Sequence, residues 1–163
     1  MKIDLYERIW MVLGAILIVV FLGIMIVMNT AHAVQPPSHI ETVDPKGIWE
    51  DPRFAELGVT PTPEGAQVVL VSQMYAFLPA EIEVPVGKPV TFRMSSADVV
   101  HGFQIVGTNA NATLVPGYVT EFTVTFPREG EYLIVCNEFC GIGHHGMFGK
   151  VYAGTKPSEE AES

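Results

Sequence analysis

The residues of greatest chemical interest lie in one short segment, residues 136–147, which carries two thiols, an imidazole and a thioether. These groups belong to Cys136, Cys140, His144 and Met147, and the glycines between them let the backbone fold tightly enough for the side chains to converge. Such soft and borderline ligands suit copper far better than calcium, magnesium or manganese. A second imidazole, His101, lies upstream. The pattern predicts a transition-metal site.

Simpler interpretations compete with a copper site at this point. A cysteine pair in an exported protein commonly forms a disulfide, and a methionine commonly packs in a core. Zinc accepts two cysteines and two histidines, although a thioether is a poor zinc ligand. A mononuclear blue-copper site uses one cysteine, two histidines and a weak axial methionine. The second cysteine is therefore the residue that discriminates among these sites.

The segments around these ligands have the pattern of short β-strands. Runs rich in β-branched and aromatic residues alternate with polar residues and are separated by Pro/Gly turns, with no helical pattern beyond residue 66. This pattern predicts an antiparallel sandwich or small barrel, in which residues 136–147 form a loop between two neighbouring strands. The predicted strands are 67–71, 82–84, 90–94, 103–106, 119–126, 132–136 and 148–152.

The N-terminal part of the chain predicts a membrane anchor. Residues 9–28 are uncharged and apolar, and as a helix they would be about 30 Å long, which matches the hydrocarbon core of a bilayer. Lys2 and Arg8 precede this run, and the next basic residue is Lys46. The positive-inside rule therefore predicts a single-pass protein with its N-terminus in the cytoplasm.

A cleaved signal peptide is the alternative interpretation of the same segment. Residues 31–33, Ala-His-Ala, resemble a small-residue cleavage site. However, the apolar run is long for a signal peptide, and the acidic Asp4 and Glu7 are atypical of its first region. We therefore expect a retained anchor. Both interpretations place the remaining chain outside the cytoplasm.

Composition divides the chain into four parts. Residues 1–33 form the anchor segment, residues 34–66 a proline-rich linker, residues 67–155 the β domain with the metal site, and residues 156–163 a flexible acidic tail. Within the linker, we expect Trp49 and Phe54 to contact a neighbouring surface. The net charge of −9 disfavours nucleic acid as a partner. It suits a basic protein partner, or else merely keeps the domain soluble.

The spacing His101…Cys136-x3-Cys140-x3-His144-x2-Met147 resembles the dinuclear copper A motif of cytochrome c oxidase subunit II, and the resemblance covers nearly the whole chain. It implies a mainly β, cupredoxin-like Greek-key sandwich or barrel with one N-terminal transmembrane helix. It also implies that both cysteines bridge two copper ions. One copper would be completed by His101 and Met147, and the other by His144 and the backbone carbonyl of Glu138.

By this resemblance, the chain is the electron-transfer subunit of a terminal haem–copper oxidase in a prokaryotic cytoplasmic membrane. Electrons would come from a soluble cytochrome c or cupredoxin and pass to haem in subunit I, which would hold the haems and a further copper, for oxygen reduction coupled to proton pumping. A small additional subunit is a further expected partner, and the copper domain would face the periplasmic or extracellular side. The alternatives are a copper A subunit of a nitric oxide reductase-type complex and a membrane-tethered copper chaperone.

The single anchor and residues 98–103 resemble the ba-type branch of the family. In that branch, the glutamate matching Glu7 lies at the mouth of a proton channel, although a solvated surface charge is an equal alternative here. Asp98 is a candidate for orienting His101, or else caps a strand end. Tyr75 is a candidate for the surface where the electron arrives, or else an ordinary packing residue.

Overall fold

The computed structural model describes residues 4–31 and 41–156, and the chain separates into two compact units. In the first unit, α1 runs from Leu5 to Ala31, and the Asp4 carboxylate accepts a hydrogen bond from the Tyr6 amide, as an N-cap does. The segment Leu5–Thr30 has a mean hydropathy of 3.1 in its most apolar window. It is therefore long and apolar enough to cross a bilayer.

This helix extends beyond the predicted span of 9–28 at both ends. At the N-terminal end, the cap by Asp4 brings Tyr6 and Glu7 into the first turn. The candidate cleavage site ends at His32 and Ala33, which lie outside the described residues, as do Lys2 and residues 157–163 of the predicted tail.

The described residues of the second unit include two five-stranded sheets. One has the order β1-β2-β5-β8 with β3 on β2, and the other has the order β4-β10-β9-β6-β7. All seven predicted strands are present, whereas β1, β3 and β7 had not been predicted. The strands are β1 Gly58–Pro61, β2 Ala66–Gln73, β3 Ala76–Leu78, β4 Glu81–Val84, β5 Pro89–Ser96, β6 His101–Ile105, β7 Asn111–Leu114, β8 Thr120–Thr125, β9 Gly130–Val135 and β10 Phe148–Ala153.

Both sheets are mixed, which corrects the expectation of a purely antiparallel sandwich. β2 pairs with β5 in parallel, and β10 pairs with β4 in parallel, while the other pairs are antiparallel. The physical reason is that alternation along a strand fixes which face is buried but carries no information about the direction of its neighbour.

The core lies between the sheets and is rich in aromatic side chains. Phe92 of β5 packs against Phe103 of β6 with ring centroids 5.7 Å apart, and Phe77 meets Phe103 edge to face at 5.5 Å. All three side chains are fully buried. Full burial of a side chain of this size contributes about 2–3 kcal/mol of transfer free energy, so this cluster anchors the strands that carry the candidate ligands.

A second, smaller core involves the segment predicted to be a linker. Val43, Ile48 and Phe54 are buried against Val71 and Val119 of the β domain. Residues 44–57 contain turns rather than a helix or strand, as their prolines predict. The predicted contact of Phe54 with a neighbouring surface is confirmed, whereas Trp49 is 42% exposed.

An ion network fastens the same segment. Arg53 pairs with Asp51 and with Glu41, and Glu41 also pairs with Arg93 of β5, which lies 2.9 Å from Glu121 of β8. The hydrogen bond from Arg53 lowers the pKa of Asp51 to about 2. Polar pairs and buried apolar residues therefore hold residues 41–54 on the β domain.

Candidate metal centre

The loop that carries most of the candidate ligands joins β9 to β10. These strands are antiparallel neighbours, with Val135 opposite Phe148. Their pairing brings Cys136 and Met147 face to face, and the Cys136 amide donates a hydrogen bond to the Met147 carbonyl at 3.3 Å. The loop is thus closed at its base by the sheet itself.

His101 reaches the same place from another strand. It is the first residue of β6, which pairs with β9 through Gln104 opposite Val135. His101 is fully buried, and its Nδ1 lies 4.0 Å from Cys136 Sγ. The pairing of β6 with β9 therefore brings the imidazole of His101, which lies 35 residues upstream of Cys136, next to the loop.

The remaining donors surround the two sulfurs. Cys136 Sγ lies 3.8 Å from Cys140 Sγ. Cys140 Sγ lies 3.5 Å from His144 Nδ1 and 3.7 Å from Met147 Sδ. Cys136 Sγ also lies 3.2 Å from the carbonyl oxygen of Glu138. All six donors named from the sequence are thus part of one contiguous cluster.

The chemistry of this donor set fits a transition-metal ion. Both cysteines are free thiols, since sulfurs 3.8 Å apart are well beyond the disulfide bond length of about 2.05 Å. Two thiolates this close together could bind the same metal ion. The ligand atoms of His101, Cys136 and Cys140 all lie within 4.8 Å of one another. The residues present therefore fit a bound metal.

Burial changes the pKa of the Cys140 thiol. Burial, reinforced by the hydrogen bond and charge of Cys136, raises the pKa of Cys140 to about 11. Without metal, this thiol is therefore protonated at neutral pH. A metal ion that binds to the thiolate must displace that proton.

Asp98 contacts the far side of the buried histidine. Its Oδ1 lies 2.9 Å from His101 Nε2, so that Nδ1 is the nitrogen left facing the sulfurs. Asp98 also accepts hydrogen bonds from the backbone amides of Met74 and Val99 at 2.7 and 2.6 Å. Partial burial acts to raise the pKa of Asp98, but the hydrogen bonds from His101, Met74 and Val99 hold it below its ordinary value.

Tyr75 lies against the ligand loop. A Cβ added to Gly143 would lie 2.5 Å from Cδ2 of the tyrosine ring, and one added to Gly141 would lie 2.6 Å from its hydroxyl oxygen. The ring is nevertheless 39% exposed. Tyr75 therefore has one face on the loop and an edge in solvent.

Sequence reasoning missed several residues around the centre. Gly102 has no room for a side chain, because an added Cβ would overlap Asn137 Oδ1 and would lie 2.7 Å from the amide nitrogen of Glu138. The only sequence signal was a glycine directly after His101. Phe139 and Ile142 project from the loop with 80% and 92% of their surface exposed.

A surface cavity of about 410 Å³ opens beside the centre. Three candidate ligand residues line it, together with the exposed His145 and an apolar rim. The lining residues are Leu133, Val135, Cys136, His144, His145, Met147 and Phe148.

Glu7, by contrast, belongs to the first turn of α1 in the other unit and is exposed there.

A two-sheet β domain with a cluster of thiol, imidazole and thioether groups at the end of its strands defines a metal-binding cupredoxin-type domain. The solved periplasmic domain of cytochrome oxidase subunit II from Bradyrhizobium japonicum shares this fold. Its TM-score is 0.50 at 18% identity, over 53% of this chain and 82% of that one.

The family model for the periplasmic domain of cytochrome c oxidase subunit II matches residues 69–152. A cytochrome c oxidase subunit 2 from Thermus thermophilus is 37% identical over 153 residues, which is 90% of each chain. A second Thermus thermophilus sequence of the same name is 41% identical, over 76% of this chain and 93% of its own length.

A chain of a haem–copper terminal oxidase dimer solved by cryo-electron microscopy also resembles this protein. It has a TM-score of 0.75 at 30% identity, over 91% of this chain and 99% of that one. The chain belongs to the cytochrome c oxidase subunit II family. The resemblance inferred from the motif is thereby confirmed, as are the cupredoxin-like fold and the prediction of an electron-transfer subunit II of a haem–copper oxidase.

Proposed function

We propose that residues 101–147 hold a dinuclear copper A centre in which Cys136 and Cys140 bridge two copper ions. The observation that carries this proposal is the pair of free, buried sulfurs 3.8 Å apart, each with an imidazole nitrogen beside it. A mononuclear blue-copper site uses only one thiolate. Two ions that share both thiolates would use every soft donor in the cluster.

The remaining donors divide naturally between the two ions. His101 and Met147 would complete one copper, while His144 and the carbonyl of Glu138 would complete the other. His101 and the Glu138 carbonyl lie next to Cys136 Sγ. Met147 and His144 lie next to Cys140 Sγ, so each pair contains one neighbour of each sulfur. These contacts are compatible with the division that the family resemblance implies.

The proposed function is to accept electrons from a soluble cytochrome c or cupredoxin and to pass them to haem in subunit I for oxygen reduction coupled to proton pumping. When bound, the coppers would supply a one-electron carrier whose charge is shared through both thiolates. The chain's own residues hold the donors in place: His101, both cysteines and Met147 are buried, and the paired strands close the loop at its base. Such rigidity limits rearrangement during electron transfer.

The setting we propose is a prokaryotic cytoplasmic membrane. The apolar helix α1 and the family membership support a membrane-anchored chain with subunit I as a partner. A small additional subunit is a further partner in this proposal. The positive charges before the apolar run support an orientation with the N-terminus in the cytoplasm and the copper domain on the opposite side. Retention of the chain in membranes after carbonate washing would support the anchor, whereas release of a chain that begins at Val34 would contradict it.

Three further residues receive proposed roles. Asp98 orients His101, and the 2.9 Å contact with its Nε2 supports this role. Tyr75 lies at the surface where the electron arrives, which its partial exposure beside the ligand loop supports. Glu7 collects protons at the cytoplasmic membrane surface, and its place in the first turn of α1 is compatible with that role.

The direct test is metal analysis of the full-length chain, purified in detergent with its thiols reduced, loaded with copper, and then oxidised by one electron with ferricyanide. Two coppers per chain are expected, with an electron paramagnetic resonance signal delocalised over both ions. The Cys140→Ser variant should lose the delocalised signal, because one bridge is missing. One copper per unmodified chain, or a stoichiometric zinc ion that copper does not displace, would refute the dinuclear centre.

A further inference from the structure

One carboxylate connects two segments that are distant in the sequence. Asp98 Oδ1 meets His101 Nε2 at 2.9 Å, while Asp98 Oδ2 accepts the Met74 amide at 2.7 Å. The two oxygens thus hold different partners at the same time. One partner is a buried candidate ligand, and the other is the backbone at the end of β2.

The residue after Met74 carries the connection onward. A Cβ added to Gly141 would lie 2.6 Å from the Tyr75 hydroxyl oxygen, and one added to Gly143 would lie 2.5 Å from Cδ2 of the ring, so neither position has room for a side chain. Gly141 directly follows Cys140, and Gly143 directly precedes His144. The ring therefore presses on the part of the loop that sets the spacing between two candidate ligands.

We propose that Asp98 and Tyr75 form a brace that fixes His101 relative to the Cys140–His144 loop. The order of contacts is His101, Asp98, the Met74 amide, the Tyr75 ring and then the loop. For the copper centre this inference rests on the proposed function, but the brace is built from protein contacts alone. It gives Tyr75 a positioning role that is separate from electron arrival.

The consequence of the brace is mechanical coupling. The hydrogen bonds of Asp98 with His101, Met74 and Val99 all lie outside residues 141–146. Its removal should nevertheless loosen that part of the loop, because the backbone that carries the Tyr75 ring would lose its anchor. Removal of the ring should have the same effect on the loop. Once either member is gone, removal of the other should change little.

The test is amide hydrogen exchange in residues 141–146 of the metal-free, full-length chain in detergent. Asp98→Ala should speed exchange there by about tenfold, which is the change expected for losing one hydrogen bond to a charged group. Tyr75→Leu should also speed exchange there, because the ring that packs on the loop is removed. The double variant should exchange no faster than the faster single variant. Tyr75→Phe should remain near the unmodified rate, because the ring that fills the space is retained.

Asp44→Ala is the matched control, because Asp44 also accepts a backbone amide, from Lys46 at 3.0 Å, but lies in the segment that precedes β1. It should leave the loop unchanged. If Asp98→Ala disturbs the whole domain by circular dichroism, Asp98→Asn serves as the milder variant. Loop exchange that is unaffected by Asp98 substitution, or effects that add fully in the double variant, would overturn the brace.

A second measurement separates the brace from the copper proposal. In the copper-loaded chain, the shifts in midpoint potential caused by Asp98→Ala and Tyr75→Leu should also be non-additive. Failure of the unmodified chain to bind two coppers would refute the proposed centre, while the exchange results would still decide on the brace. Coupled exchange with fully additive potential shifts would restrict the brace to the metal-free protein and refute its role in the copper centre.

Discussion

The ring of Phe139 lies beside the imidazole of His144, with centroids 5.8 Å apart and an angle of 58° between the planes, although Phe139 itself is 80% exposed. The exposed ring of Phe139 therefore contacts one side of the candidate ligand His144. The next residue along the chain, His145, is exposed. Two adjacent histidines in the same loop thus have different environments.

This difference predicts opposite outcomes for two neighbouring substitutions. His144→Ala should abolish the delocalised copper signal, because Nδ1 of His144 lies 3.5 Å from Cys140 Sγ. His145→Ala should leave the signal nearly unchanged. Electron paramagnetic resonance of both copper-loaded variants makes the comparison, and the reverse result would mean that the register of the loop is misassigned.

Glycine substitutions within the loop offer a second matched pair. Gly143→Ala should destabilise the metal-free domain by about 1–3 kcal/mol, the typical cost of overpacking, since its Cβ would lie 2.5 Å from the Tyr75 ring. Gly146→Ala should cost much less, because no atom lies within 4 Å of the added Cβ. Denaturant unfolding measures both losses, and equal losses would argue against close packing of Tyr75 on the loop.

The segment before β1 should contribute strongly to stability. Phe54→Ala should cost about 3–5 kcal/mol, the usual range for removing a buried phenylalanine, because Phe54 is only 1% exposed. Trp49→Ala should lose less, since Trp49 is 42% exposed. Equal unfolding midpoints for Phe54→Ala and the unmodified chain would show that this segment is not packed on the domain in solution.

The ion network predicts a pH dependence at the acid end. Arg53 lowers the pKa of Asp51 from 3.8 to about 2, so the folded state holds this carboxylate in its charged form. The resulting stabilisation is fully present above about pH 4 and is lost as the pH falls through about 2. Asp51→Asn should therefore weaken the acid dependence of thermal unfolding in this range, while Glu50→Gln, at the exposed neighbouring position, serves as the control.

Glu7 is testable in the assembled oxidase. If the carboxylate collects protons, Glu7→Gln should slow steady-state oxygen reduction while the copper signal and electron transfer from the donor to copper remain intact. Glu7→Asp should retain more activity than Glu7→Gln, because charge is the property that the role requires. Turnover of the Gln variant at the unmodified rate across neutral and alkaline pH would reduce Glu7 to a surface charge.

The sequence allowed prediction of the loop ligands because their spacing is local. Cys136, Cys140, His144 and Met147 lie within one turn-rich segment between two recognisable strands, and the structure brings them together as expected. His101 required the family resemblance, since its approach depends on the pairing of β6 with β9. Local patterns alone do not specify such long-range registers.

Other features depended on contacts that leave no local signal. The Asp98–Met74 hydrogen bond joins residues 24 positions apart, and the packing of Tyr75 on Gly143 spans a longer separation. Strand β1 was missed because three of its four residues are exposed, so it shows no alternation of burial. Val43 and Phe54 were placed in a linker because prolines obscure the apolar residues between them.

The position of β10 determines when the centre can form as the chain is made. This strand follows the other described strands in chain order, and it pairs in parallel with β4, which is synthesised more than sixty residues earlier. Met147 reaches Cys136 only when β10 is seated against β9. A chain in which β10 is not yet paired would therefore hold an incomplete set of donors. Pairing of β10 with β9 is accordingly the folding step that completes the donor cluster.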